Sequence, residues 1–289
     1  MTDTHDIPDP YCDADHLQTL HDVPPHEVHL LRVDGARRVL KHDTGPTGSA
    51  RFEGAVTRFV SRHTDTPVPH VRVVGDDHYL ADWHDDAPSP DADSDPTDGW
   101  ARAAGRGLAR LHAATEGAVE GYGRPDTCDG SVVAPHDEWH AAALTAMDRR
   151  AEALERYGYA DPVRRARDRL RDRPNAFGTV GASVLCHGWW SPEHVAVHDG
   201  AVARAVDFEH ALAAPPEWDY LRAVLPVFED PTPFREGYEA VRPLGDTAEA
   251  FVALAETYYL VSLFVQDEHD TAATAERAEA FTARLDDRL

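Results

Sequence analysis

Residues 184–222 read VLCHGWWSPEHVAVHDGAVARAVDFEHALAAPPEWDYLR. A short apolar strand, Ser183 to His187, runs into a turn-rich loop. Two alternating runs follow, Val195 to His198 and Ala201 to Phe208, joined by Asp199-Gly200. A two-residue Asp-Gly link predicts a hairpin, because a type I′ turn needs positive φ at both central positions. Pairing without offset sets His198 opposite Ala201 and His194 opposite Ala205. The end of the loop, Glu193 and His194, then returns close to Asp207. A loop and a carboxylate brought together by a hairpin can build a divalent-metal site.

Outward from this stretch, the most informative residue is Lys41, the only lysine in the chain; the other cations counted with it are all arginine. Arginine is a planar fork, whereas lysine is a compact point charge on a flexible stem. Lys41 ends the apolar run Arg38-Val39-Leu40, on the second strand of a hairpin predicted around Asp34-Gly35. A strand lysine of this kind can reach the phosphates of a nucleotide. Phe52, Val56, Phe59 and Val60 recur at helical spacing and predict a helix from Ala50 to Arg62. Glu53 lies one step from that apolar face, where it can turn toward Lys41.

Together these residues resemble the aminoglycoside phosphotransferase and choline kinase family, a branch of the protein-kinase-like fold. That family reads His-Gly-Asp, four residues, Asn, a hairpin, and then an apolar-Asp-Phe triplet. His187 and Gly188 match its start, Pro192 and Val195 fall on common family positions, and Val206-Asp207-Phe208 matches the triplet. Trp218-Asp219-Tyr220-Leu221 resembles the segment whose Asp braces the catalytic loop. The resemblance covers most of the chain. It implies an α+β, two-lobed fold with a small sheet-based N-terminal lobe and a larger, mainly helical C-terminal lobe. It also implies ATP or GTP with Mg²⁺ or Mn²⁺, and phosphoryl transfer to a hydroxyl of a small molecule. In its terms Lys41 and Glu53 serve the nucleotide, His194 and Asp207 the metal, His187 the loop, and Asp219 the brace.

Two positions depart from the family pattern. The catalytic Asp falls on Trp189, and the metal-binding Asn falls on His194. An Asp there accepts or orients the proton of the attacking hydroxyl, and indole, a donor only, cannot. General-base steps contribute about 10²–10⁴-fold, roughly 3–5 kcal/mol of barrier. Glu193, in the same loop, is the remaining candidate for that carboxylate. Neutral imidazole at His194 can ligate a metal, although Mg²⁺ prefers oxygen. Two other readings stay open: a pseudokinase that binds nucleotide or partners without turnover, and a transition-metal hydrolase using the local His, Glu and Asp residues. No His-Glu-x-x-His pattern supports the last.

The order of elements divides the chain into an N-terminal lobe, residues 1–83, an acidic, proline-rich linker, residues 84–99, and a helical lobe, residues 100–289. The polar, proline-rich stretch 1–27 reads as a short helix or irregular lead-in. Strands are expected at Val68 to Val74 and Tyr79 to Ala81, with backbone near Asp82 to His84 meeting the nucleotide base. Helical stripes follow at Trp100 to Leu111 and Trp139 to Leu154. Arg164 to Arg173 reads as an ion-paired helix, and later stripes mark Phe251 to Val265 and Ala273 to Leu289.

The chain has 289 residues and 52 acidic against 28 basic side chains, a net charge of −24. That field argues against a nucleic-acid partner and suggests a salt-rich cytosol, where screening makes self-repulsion tolerable. Cys12, Cys128 and Cys186 form neither a disulfide framework nor a zinc pattern, in keeping with a reduced cytoplasm. No apolar run suggests a signal peptide or a membrane span. Most of the 18 histidines are scattered singly beside acids and read as surface residues.

Overall fold

Asp34 and Gly35 both have positive φ, 51° and 77°, and close the hairpin between strands His26–Val33 and Ala36–Asp43. In this computed structural model all residues are described except 1–7, 9–10, 46, 86–88, 91–95, 127–131, 226, 267–270 and 289. The two hairpin strands are β2 and β3, and β1 (Asp15–Val23) precedes them. Helix α1 (Ala50–His63) follows, then β4 (Val71–Val74) and β5 (His78–Asp82). The strands form one antiparallel sheet in the order β1-β2-β3-β5-β4.

β1 occupies part of the stretch read as a helix or irregular lead-in. It is an edge strand, almost wholly exposed, with two register shifts against β2. A bulged strand with both faces in water carries no alternating pattern, so the sequence gives no period to read.

β3 lies at the centre of the sheet and carries Lys41, opposite Val28 on one side and Tyr79 on the other. α1 meets the sheet through Ala50, which packs with Val71, Tyr79 and Ala81, while its Val56, Phe59 and Val60 join the helical core. Its approach depends on Gly54: a Cβ there would sit 2.5 Å from the Tyr79 side chain. The same closeness carries Glu53 under β3.

Beyond Asp82, part of the acidic linker lies outside the described residues. α2 (Asp98–Thr115) then begins at an N-cap, where the Thr97 hydroxyl accepts from the Trp100 amide at 3.2 Å. A two-residue pair, β6 (Val119–Glu120) and β7 (Val132–Val133), leads to α3 (Trp139–Glu155) and α4 (Ala160–Arg171). β8 (Val184–Cys186) pairs with β11 (Leu212–Ala214), enclosing the hairpin of β9 (Val195–His198) and β10 (Ala201–Ala205). Helices α5 (Pro216–Val224), α6 (Thr232–Glu239), α7 (Glu249–Gln266) and α8 (Thr271–Arg288) complete the chain.

Aromatic rings fill the helical core. Trp139 stacks on Phe251 at 6.0 Å between centroids, and Phe177 meets Phe251 edge-on at 4.9 Å. No helix among the described residues is long and apolar enough to cross a membrane.

The expectation of surface histidines fails for five of them, and the loop residue His187, never counted among those, is buried with them. His26, His29, His42, His78, His112 and His187 are buried. Each finds a carboxylate or carbonyl partner inside the fold. A pattern of His beside Asp or Glu in sequence does not reveal which pairs the fold encloses.

Candidate active site

The β9–β10 turn forms as its residues require, with Asp199 at φ 50° and Gly200 at 72°. His198 faces Ala201 as expected. A bulge between Val202 and Arg204 then shifts the register, so Ala205 faces Val195 rather than His194. The Val206 amide donates to the His194 carbonyl at 3.0 Å, which still returns the loop to the next residue, Asp207. Asp207 adopts a left-handed backbone, φ 65° and ψ 62°, a conformation short polar residues tolerate. Its carboxylate meets His194 Nε2 at 3.2 Å.

The loop before it is held from below. Asp219, fully buried on α5, accepts the His187 amide at 2.7 Å and the Gly188 amide at 2.8 Å. His112 meets its Oδ2 at 3.1 Å. Burial disfavours the Asp219 carboxylate, but the His112 contact and the loop amides outweigh it and hold the carboxyl below its ordinary range. Gly188 has φ 86°, and a Cβ there would lie 2.2 Å from the His210 carbonyl, so only glycine fits. His187 Nε2 donates to the Val206 carbonyl at 2.8 Å, and its Nδ1 accepts the Trp189 amide at 3.2 Å. Burial, reinforced by the charge of His194, pushes this imidazole down to about 4, so it is neutral.

Lys41 crosses from β3 to this loop. Its Nζ lies 2.6 Å from Glu53 Oε2, 3.2 Å from Asp207 Oδ1 and 3.4 Å from Glu209 Oε2. Tyr79 donates its hydroxyl to the other Glu53 oxygen at 2.8 Å. Burial opposes the Lys41 charge, but Glu53 and Asp207 outweigh it and push the ammonium well above its ordinary value. Burial likewise opposes the charge on Asp207, and His194 and Lys41 together hold its carboxyl far below the usual range.

Two participants were not assigned to the Lys41 site from the sequence. Glu209 follows the matched triplet by one residue, and His26 opens β2. His26 bridges Asp43 Oδ1 and Glu209 Oε2, each at 2.9 Å. Asp43 in turn accepts the Ala50 amide at the start of α1. Glu209 had one signal, its place beside the triplet; His26 had none, because its partners lie 17 and 183 positions away in sequence.

A cleft of about 740 Å³ opens here, walled by Lys41, Glu53, His194 and Asp207, with Trp83 on the strand side. Glu193 is exposed, borders this cleft and accepts the Ser191 hydroxyl at 3.2 Å. Trp189 does not line the cleft. Its indole stacks on His210, 5.5 Å between centroids, with the Arg222 guanidinium 5.1 Å from the ring. His194 donates Nδ1–H to the Trp189 carbonyl at 3.0 Å. That bond turns Nε2 toward Asp207 and the cleft.

The resemblance read from the sequence is matched by comparison with known proteins. No curated protein matches the chain. Solved structures do match it along nearly its full length. One is a thermostable mutant of aminoglycoside phosphotransferase APH(4)-Ia, in ternary complex with ADP and hygromycin B. It has TM-score 0.67 at 15% identity, covering 96% of this chain and 95% of the other. Another is macrolide 2'-phosphotransferase MphH from Brachybacterium faecium, with TM-score 0.54, 20% identity and coverage of 94% and 93%. At such identities these likenesses establish the kinase-like fold alone. The sequence pattern of the phosphotransferase enzyme family matches residues 26–251, most of the chain. The chain is thus a member of the phosphotransferase enzyme family.

Proposed function

We propose that the protein binds ATP or GTP in the cleft under the sheet and transfers the terminal phosphoryl group slowly to a hydroxyl of a small molecule. The observation that carries this reading is Lys41 Nζ, held at 2.6 Å from Glu53 and 3.2 Å from Asp207. Lys41 is a charged donor fixed at the mouth of a nucleotide-sized cleft, and Glu53 fixes it. The ADP in the APH(4)-Ia complex supports nucleotide use, and its hygromycin B supports a small-molecule acceptor.

The donor set suits a hard divalent ion. Oxygens of Glu53, Asp207 and Glu209 lie within 4.8 Å of one another, and oxygen ligands are what Mg²⁺ takes. Asp207 and His194 Nε2 would hold the ion, with imidazole favouring Mn²⁺ over Mg²⁺ as a partner. When bound, it would neutralise phosphate charge. The remaining work falls to the chain. Asp219 fixes the loop, and His187 ties it to Val206. Trp189 offers no acceptor for the hydroxyl proton, so positioning and charge neutralisation supply most of the rate.

A nucleotide-binding protein without turnover is the second reading, favoured by Trp189 alone. The testing experiment is thermal shift with ATP or GTP and Mg²⁺ or Mn²⁺ in molar KCl, followed by phosphate-transfer assays. Stabilisation by nucleotide with metal is expected, and its absence overturns both readings. Turnover separates them. The acidic surface suits a salt-rich cytoplasm, and retention of the folded state only at high salt would bear on that.

A further inference from the structure

The net charge of −24 makes one pocket conspicuous. A cavity of about 180 Å³ lies beside the catalytic loop, lined by Arg124, Arg149, Arg150, His136, His210 and Tyr258 among others, and, among the described residues, by no acidic one. His210 connects it to the loop, since Trp189 stacks on that ring. Arg222 lies behind it, 4.8 Å from the ring of Tyr258 and 2% exposed. Among the described residues none of these four arginines has a carboxylate at ion-pairing distance, and buried nitrogens of Arg150 and Arg222 lack hydrogen-bond partners. Burial pushes the Arg150 guanidinium down to about 10; Tyr258 opposes this, and Arg222 and Arg149 add to it. Arg124 and Arg149 are exposed and Arg150 is half-buried, but like charges gathered at one cavity without counter-ions disfavour one another, and a bound anion would relieve them.

We infer that this pocket receives the anionic group, carboxylate or phosphate, of a hydroxylated acceptor whose hydroxyl faces the loop at Trp189. This deepens the phosphotransfer reading and rests on it. A polycationic acceptor would be repelled. Arginine forks match both carboxylate and phosphate oxygens.

The test titrates the full chain at constant ionic strength with glycerate and glycerol 3-phosphate, against neutral glycerol and cationic choline, with and without saturating ATP. Thermal stabilisation by at least one anion is expected, with half-saturation weakened roughly tenfold or more in Arg149→Glu. A response to glycerate alone assigns a carboxylate, and to glycerol 3-phosphate alone a phosphate. Equal response to glycerol or choline, no response to either anion, or an anion response surviving in Arg149→Glu overturns the inference. Arg149 is exposed, so folding should survive the change. The ATP-induced shift belongs to the Lys41 cleft; its absence overturns the phosphotransfer reading separately.

A different cluster carries a second inference. Lys41 and His42 are consecutive in β3, so they face opposite sides of the sheet. On the side away from the cleft, His29 Nε2 lies 3.0 Å from Glu27 Oε2, and His42 Nε2 lies 3.4 Å from each of them. A tetrahedral ion with bonds of about 2.0–2.1 Å spaces its ligand atoms by roughly 3.3 Å. His29 Nδ1 meets His16 Nε2 at 3.2 Å, so donating that proton frees Nε2 to ligate. We also infer that Glu27, His29 and His42 hold a zinc-class ion with an open fourth position.

Tag-free protein dialysed against Zn²⁺ should retain about one ion per chain and gain thermal stability. Glu27→Gln and His42→Ala should each lose that retention, and the near-isosteric Glu27→Gln keeps the test usable where His42→Ala folds poorly. No retained zinc in the wild type, or equal retention in Glu27→Gln, overturns this site.

Discussion

Lys41 Nζ and Glu53 Oε2 stand 2.6 Å apart, both buried, and Asp207 lies 3.2 Å from the same ammonium. One strand residue thereby ties the sheet, the helix beneath it and the loop that carries Asp207. Lys41→Met should reduce nucleotide-induced stabilisation, weakening binding about ten- to a hundredfold for a lost charged hydrogen bond. It should also lower stability, because removing one partner of a buried pair costs about 3–5 kcal/mol. Lys41→Arg should recover little, since a planar fork does not fit between three converging carboxylates. Isothermal titration and chemical denaturation measure the two effects separately. Full nucleotide affinity in Lys41→Met would remove the lysine from the phosphate site.

Asp207→Asn should cost metal binding and metal-dependent nucleotide binding together. The change preserves size and removes the charge that faces both Lys41 and His194. Mn²⁺ titration followed by nucleotide titration is the measurement. Unchanged Mn²⁺ affinity in the variant takes Asp207 out of the metal site.

Much of this was legible because it is local. The Asp34-Gly35 and Asp199-Gly200 hairpins, α1 and the Val206-Asp207-Phe208 triplet depend on residues a few positions apart. The Lys41–Glu53 pair was legible through helix spacing and family order. The exposed edge strand β1 was not, since nothing on it alternates. The bulge at β10 was not, because one extra residue leaves the alternating pattern readable while shifting every pair beyond it. His26 and the arginine pocket were not, because each assembles from distant segments. Arg124, Arg149 and Arg222 belong to three separate stretches, and only the fold brings them together.

His187 gives a pH dependence with a definite sign. Burial holds its imidazole near 4 in the folded chain, against about 6.5 for a free histidine. The unfolded chain therefore binds more protons between those values, and stability falls as pH drops through that window. The neutral ring's contribution is complete above pH ~6.5 and lost below pH ~4, about 3 kcal/mol in all. Urea unfolding of wild type and His187→Gln between those limits measures it. The glutamine amide retains a donor for the Val206 carbonyl, so the variant should fold with a shallower pH slope. An unchanged slope would assign the acid sensitivity to other groups, with His210, pushed down to about 4 chiefly by burial, first among them.

Trp189 decides how much chemistry the site performs. Its amide is held by His187 and its carbonyl by His194, so the backbone position survives substitution and the indole alone is at issue. The ring packs on His210 and Arg222 rather than lining the Lys41 cleft. Nucleotide binding should therefore be close to unchanged in Trp189→Asp. Turnover should rise, approaching the ~10²–10⁴ of a general base with a suitable acceptor. Arg222, 2% exposed, would then meet a carboxylate in place of an indole face, which favours the ionised form the proton transfer needs. Wild-type turnover at ~1–100 s⁻¹, the range of ordinary kinases, would instead mean that another group already takes the proton. Glu193, exposed at the rim of the cleft, is then the residue to remove, and Glu193→Gln should abolish that rate while leaving nucleotide affinity intact.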